Sequence, residues 1–110
     1  MVNIFDINTV SKRYFTIKLN IVEDEVAREL VLEVEPPKLK SLKKITSLSK
    51  VRDEDAIVDL SAAVGMILSK NKAKFKVPDE LIDELDLDEM NAILTAYFEW
   101  LSKEKTSKNS

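Results

Sequence analysis

The sequence predicts an α+β fold in which an N-terminal β-hairpin packs against three or four α-helices, with most residues helical. Two short runs before residue 36 alternate apolar and polar residues with a period of two. The pair Pro36 and Pro37 then interrupts the chain, and beyond it apolar residues recur at three- and four-residue spacing. With 110 residues, of which 45% are hydrophobic and 34% charged, the chain has the length and composition of one globular domain. That domain is expected to span residues 1–104.

Residues 1–12 show no period and read as an irregular arm whose Ile4, Phe5 and Ile7 are available for packing. From Tyr14 to Leu19, Phe15, Ile17 and Leu19 alternate with Tyr14, Thr16 and Lys18, as in a half-buried strand. The second strand runs from Glu29 to Glu35, with Leu30, Leu32 and Val34 on one face. The connection through Val22, Glu23, Asp24 and Glu25 lacks the Asn-Gly or Asp-Gly signature of a tight turn, so a longer loop is expected and the register is left open. A lone hairpin is marginal, so the helices must cover it.

Pro36 and Pro37 end the strand because neither can donate a ladder hydrogen bond. Pro37 suits the first position of a helix over about 38–50, whose Leu39, Leu42, Ile45 and Leu48 face one way. Asp53 can cap a second helix to about Lys70, with Ile57, Leu60, Val64, Ile67 and Leu68 on its core face. Ala56, Ala63 and Gly65 are small, and Gly65 reads as a packing residue that allows a neighbour to approach. A charged connector over 70–76 leads to Pro78, which opens a short helix over 79–85. Asp86 and Glu89 have capping-box spacing and start a longer helix to about Lys103. Residues 105–110 are expected to form a frayed, disordered polar tail.

Composition narrows the function. Cysteine and histidine are both absent, which removes disulfides, thiolate ligands and the commonest acid, base and metal ligand near neutral pH. A single glycine, Gly65, cannot build a phosphate-cradling loop. No run approaches the length of a membrane span, and Asp6 stands where a signal peptide would be basic and then apolar. The expectation is a non-catalytic intracellular protein without cofactor or metal that works by binding other protein.

Four constellations test that expectation. Asp79, Glu80, Asp83, Glu84, Asp86, Asp88 and Glu89 are interrupted by Leu81, Ile82, Leu85 and Leu87 at helical spacing, so acids favoured at helix N-termini account for them better than a calcium loop. Lys38, Lys40, Lys43, Lys44, Lys50 and Arg52 occur without an acid among them, but the net charge of −3 and the lack of a base-stacking motif favour a solvated face or an acidic protein partner over nucleic acid. Lys40, Lys43 and Lys44 are the candidate charged contacts. Serines 41, 47, 49, 61 and 69 would need lysine as a base, and nothing pairs one with another. Finally, Tyr97, Phe98 and Trp100 cannot share one face, because successive helical residues are about 100° apart. If Tyr97 and Leu101 face the core, Phe98 or Trp100 lies at its edge or outside, where large rings anchor interfaces.

The order YFTIKL, LEVEPPKLKSLKKI, AVGMILSKNK and LDEMNAILTAYFEWLSKEK resembles the tail assembly chaperones of long-tailed phages and prophages of Gram-positive bacteria. The likeness covers most of residues 13–104. Its most specific parts are Leu32 to Ile45 and Ile93 to Lys105, neither of them a catalytic signature. The resemblance implies a chaperone, acting in the cytoplasm of the bacterial host, that coats the helical tape-measure protein and keeps it soluble until tail-tube subunits polymerise round it. It further implies contact with the tail tube protein and a longer frameshifted product, of whose junction the polar end Thr106 to Ser110 has the look. A holdase needs apolar anchors, and Leu94, Phe98, Trp100 and Leu101 are the candidates. Open strand edges suggest a homo-oligomer of undefined order. Two rival readings are a small DNA-binding regulator using the basic helix 38–52, and a structural subunit of the virion.

Overall fold

The computed structural model describes residues 4–50 and 56–107. It has the expected mostly helical α+β architecture, in which a two-stranded antiparallel hairpin is followed by four α-helices. Strand β1 (Phe15–Glu23) pairs with β2 (Val26–Val34) in an unbroken register from Phe15 opposite Val34 to Glu23 opposite Val26. Both strands extend beyond the runs that alternate most clearly in sequence. The connection is tighter than expected, with Asp24 and Glu25 forming a two-residue turn at φ 51° and 65°. Two successive left-handed residues match the twist of the strands, so two charged residues do here what Asn-Gly usually does. Before the hairpin, Ile7–Thr9 form a single 3-10 turn capped by the Asp6 carboxylate, which accepts from the Asn8 N–H at 2.9 Å.

At its base the hairpin is tied to the helical layer. Leu32 and Val34 are buried, the Glu35 N–H donates to the Lys70 carbonyl at 2.8 Å, and the Lys72 N–H donates to the Glu33 carbonyl at 2.9 Å. Asn71, the buried polar residue between them, organises the following turn. Its side chain donates to the Leu68 and Phe75 carbonyls and accepts from the Phe75 N–H.

Helix α1 (Leu39–Ser49) begins with Lys38 at the capping position, so Pro37 precedes the helix and is not its first residue. Ile45 is buried, whereas Leu39 is 67% exposed despite its periodic spacing. Helix α2 (Ala56–Ser69) is the central core helix, with Leu60, Ala63, Val64, Ile67 and Leu68 all buried. Each such isoleucine or leucine contributes about 1.5–3 kcal/mol on removal from water. Ile57, assigned to that face by spacing, is exposed, and the proposed Asp53 cap lies outside the described residues. Gly65 does not bring a neighbour close: a Cβ built there meets nothing within 4 Å. Its packing role is therefore corrected.

Helix α3 (Asp79–Asp83) starts after Pro78, and Val77 and Ile82 seal the core beneath it. Helix α4 (Leu87–Ser107) opens with the expected capping box, in which the Glu89 N–H donates to Asp86 Oδ1 at 2.7 Å and the Asp86 N–H donates to Glu89 Oε1 at 2.9 Å. The helix continues to Ser107, past the expected end at Lys103 and into the segment expected to be disordered; residues 108–110 lie outside the described residues. Met90, Ile93, Leu94 and Tyr97 form its buried stripe. Among the described residues no helix is long and apolar enough to cross a membrane.

Candidate functional site

The aromatic cluster on α4 is built around Tyr97, which is 1% exposed. Its ring meets Phe15 edge-on at 5.9 Å between centroids, Phe98 edge-on at 5.6 Å and Trp100 at 5.8 Å. Phe15 and Trp100 also touch, at 5.7 Å, so one strand residue and two helix residues form a closed aromatic triangle. Edge-on geometry sets the positive rim of one ring against the negative face of the next and adds about 0.5–1.5 kcal/mol per pair beyond burial. Burial in this apolar surrounding pushes the Tyr97 phenol up from 10.0 to about 12, because the phenolate would lose its hydration.

The four candidate anchors divide between two sides of this centre. Trp100 turns toward the hairpin, where Phe15 packs on it and the Arg13 guanidinium lies 4.6 Å from its ring centroid. Arg13 also donates from Nη1 to the Trp100 carbonyl at 2.8 Å and from Nη2 to the Leu101 carbonyl at 3.1 Å. Leu94 is buried in the core, while Phe98 and Leu101 are half-buried at its margin. Phe98 and Leu94 line a shallow depression of about 470 Å³ between α4 and the end of α1, with Ser49, Thr95, Glu99 and Ser102 around it. The structure thus groups Leu94 with Phe98 in an open depression and gives Trp100 to the joint between helix and hairpin.

The candidate charged contacts, Lys40, Lys43 and Lys44, are exposed on α1, at the i, i+3 and i+4 spacing that places them on one face. Lys43 and Lys50 flank a second shallow depression, of about 540 Å³, floored by Leu39, Leu42 and Thr46. Of the acids in the 79–89 segment, Asp79 and Glu80 lie in the first turn of α3, Asp88 and Glu89 in that of α4, and Asp86 caps α4, as expected of helix N-termini; Asp83 and Glu84 instead fall at the C-terminal end of α3, where the helix dipole does not favour them. Among the described residues they form no group that could hold a metal ion.

Arg13, Phe15 and Asn71 carry more of the site's organisation than their sequence context suggests. Arg13 reaches helix carbonyls 87 and 88 positions away, a contact with no local signal. Asn71 stands alone among lysines in a segment that reads as a solvated connector, and its position one residue after Lys70, where α2 has ended, is the only hint of a turn-forming role. Searches against protein-family models, curated proteins and solved structures find no match to this chain.

Proposed function

We propose that this domain is a non-catalytic holdase that binds an aggregation-prone helical protein. We further propose, from its resemblance to the tail assembly chaperones, that the client is the tape-measure protein during tail-tube polymerisation in the bacterial cytoplasm. The observation that carries the binding role is the amount of large apolar side chain left on the surface. Ile4, Phe5, Ile7 and Val10 are 82%, 75%, 69% and 53% exposed, and Ile57 and Val58 on α2 are 59% and 67% exposed. Large apolar side chains left in water are surface that a protein partner can cover with a gain in stability. The depression containing Phe98 and Leu94, with Leu101 beside it, offers a receiving surface on α4, and Trp100 supports it by fixing the helix to the hairpin.

Co-expression with the tape-measure protein, followed by purification at low and high salt, tests the reading. A complex that keeps the client soluble, survives high salt and weakens on Phe98→Ala supports it. A client that stays insoluble while the chain elutes alone overturns it. The exposed lysines of α1 favour one second reading, a DNA-binding regulator. That reading predicts recovery of the chain with nucleic acid and an affinity that falls steeply with salt, because bound phosphates release counterions. A structural subunit of the virion would instead be found in purified tails.

A further inference from the structure

The two edges of the hairpin differ. The outer edge of β2 is covered where the segment after α2 bonds to Glu33 and Glu35 and Asn71 bridges Val34. β1 has no second neighbour among the described residues. Proteins commonly blunt a free edge with proline, a bulge or several charges. β1 has no proline, runs in unbroken register across all 9 of its residues, and carries Lys18 as its single charge before its last position. Alongside this edge lies an open groove of about 470 Å³ between β1 and α4, lined by Ile17, Leu19, Leu85, Ala92, Ile93 and Ala96. The apolar face of the hairpin stays only half-covered at Ile17, Leu19, Ile21 and Leu30.

We infer that this edge receives β1 of a second copy of the chain, antiparallel, to form a continuous four-stranded sheet. The inference does not depend on the identity of any client. The two-residue turn makes Glu23 and Val26 its closing hydrogen-bonded pair, so the backbone groups of Thr16, Lys18, Asn20 and Val22 face outward. A two-fold axis at Leu19, the midpoint of β1, pairs the whole strand. Thr16 then exchanges bonds with the partner's Val22, and Lys18 with the partner's Asn20. On the apolar face Ile17 meets the partner's Ile21, and Leu19 meets the partner's Leu19. A shift that centres the axis on Lys18 shortens the ladder and sets Lys18 against the partner's Lys18, which is unfavourable.

The helices fit this arrangement. The axis stands perpendicular to the sheet, so both helical layers lie on the same face. Phe15, where α4 meets the hairpin, is separated from the partner's Phe15 by the length of β1. At about 3.4 Å per residue this is roughly 27 Å, ample for two helices about 10–12 Å across. Each α4 then presents Ala92 and Ala96, both exposed in the single chain, toward the half-covered outer half of the partner's hairpin.

The test is the oligomeric state of the intact chain by sedimentation equilibrium, with four variants. Asn20→Lys faces Glu29 within its own hairpin, which suits the added charge, but it confronts the partner's Lys18; the dimer dissociation constant should rise about tenfold. Asn20→Pro removes an outward N–H and should abolish the dimer while circular dichroism shows the fold retained. Because the chain has no cysteine, Leu19→Cys introduces a unique thiol, which should form an intermolecular disulfide on mild oxidation, whereas Thr16→Cys, opposite the partner's Val22, should not. A chain that is monomeric into the hundred-micromolar range overturns the inference. So does a dimer indifferent to Asn20→Pro, or one that crosslinks equally well through both thiols.

Discussion

The Arg13 guanidinium stacks 4.6 Å from the centre of the Trp100 ring and at the same time donates to the Trp100 and Leu101 carbonyls, fastening the start of the hairpin to the last turns of α4. A planar group with several donors can do both; a lysine ammonium cannot. Arg13→Ala is expected to destabilise the fold by about 1–2 kcal/mol, combining the lost cation–π contact with the lost charge-assisted bonds. Arg13→Lys should recover less than half of that. Urea unfolding followed by the fluorescence of Trp100, the single tryptophan, reads both the stability and the ring's surroundings. An Arg13→Lys variant as stable as the parent would contradict this account.

The turn at Asp24 and Glu25 stores strain that a different residue would release. Glu25 sits at φ 65°, where a side chain costs about 1–2 kcal/mol and glycine nothing. Glu25→Gly should therefore raise stability by about 1 kcal/mol, less than the full strain because glycine also gains freedom in the unfolded chain. The urea midpoint should move up with the slope unchanged. If the loop were longer and looser, the same substitution would lower it.

Gly65 lies inside α2 without positive φ and without a neighbour that excludes a methyl group. It loses helix propensity and receives no packing advantage in return. Gly65→Ala should stabilise the domain by about 1 kcal/mol, which for a chain of this size raises the melting temperature by about 4–8 °C. Loss of client binding in this otherwise stabilised variant would show that the shallow depression it lines with Val58, Met66 and Ile82 receives a partner.

These cases mark where the sequence was legible. Alternation in Phe15 to Leu19 and Leu30 to Val34 located the strands because one face is buried or half-covered and the other is more exposed. The Asp86 and Glu89 box was readable because capping is a local event three residues long. The tight turn was hidden because its conformation is imposed by the ladder, not by its residue types. Leu39 and Ile57 fit their helical stripes and are exposed nonetheless, because spacing tells which residues share a face but not whether another element reaches them. The division between Phe98 and Trp100 had the same origin. Their angular separation followed from the helix, and both rings are half-buried, but only the arrival of Phe15 and Arg13 from the other end of the chain made Trp100 part of the joint with the hairpin.

Tyr97 supplies a pH signature of the core. Its phenol is held up to about 12 in the folded domain against 10.0 when free, by burial. The folded state therefore retains a proton that the unfolded state loses between those values, so the stability it protects is complete below pH 10 and falls as pH rises toward 12. The limiting slope for one such group is about 1.4 kcal/mol per pH unit. The parent is compared with Tyr97→Phe, which keeps the ring stacking and removes the ionisation. The two proteins should differ in stability by a constant amount up to pH 10, with the parent then falling more steeply. Parallel curves through pH 11.5 would mean that the phenol reaches solvent in the folded protein.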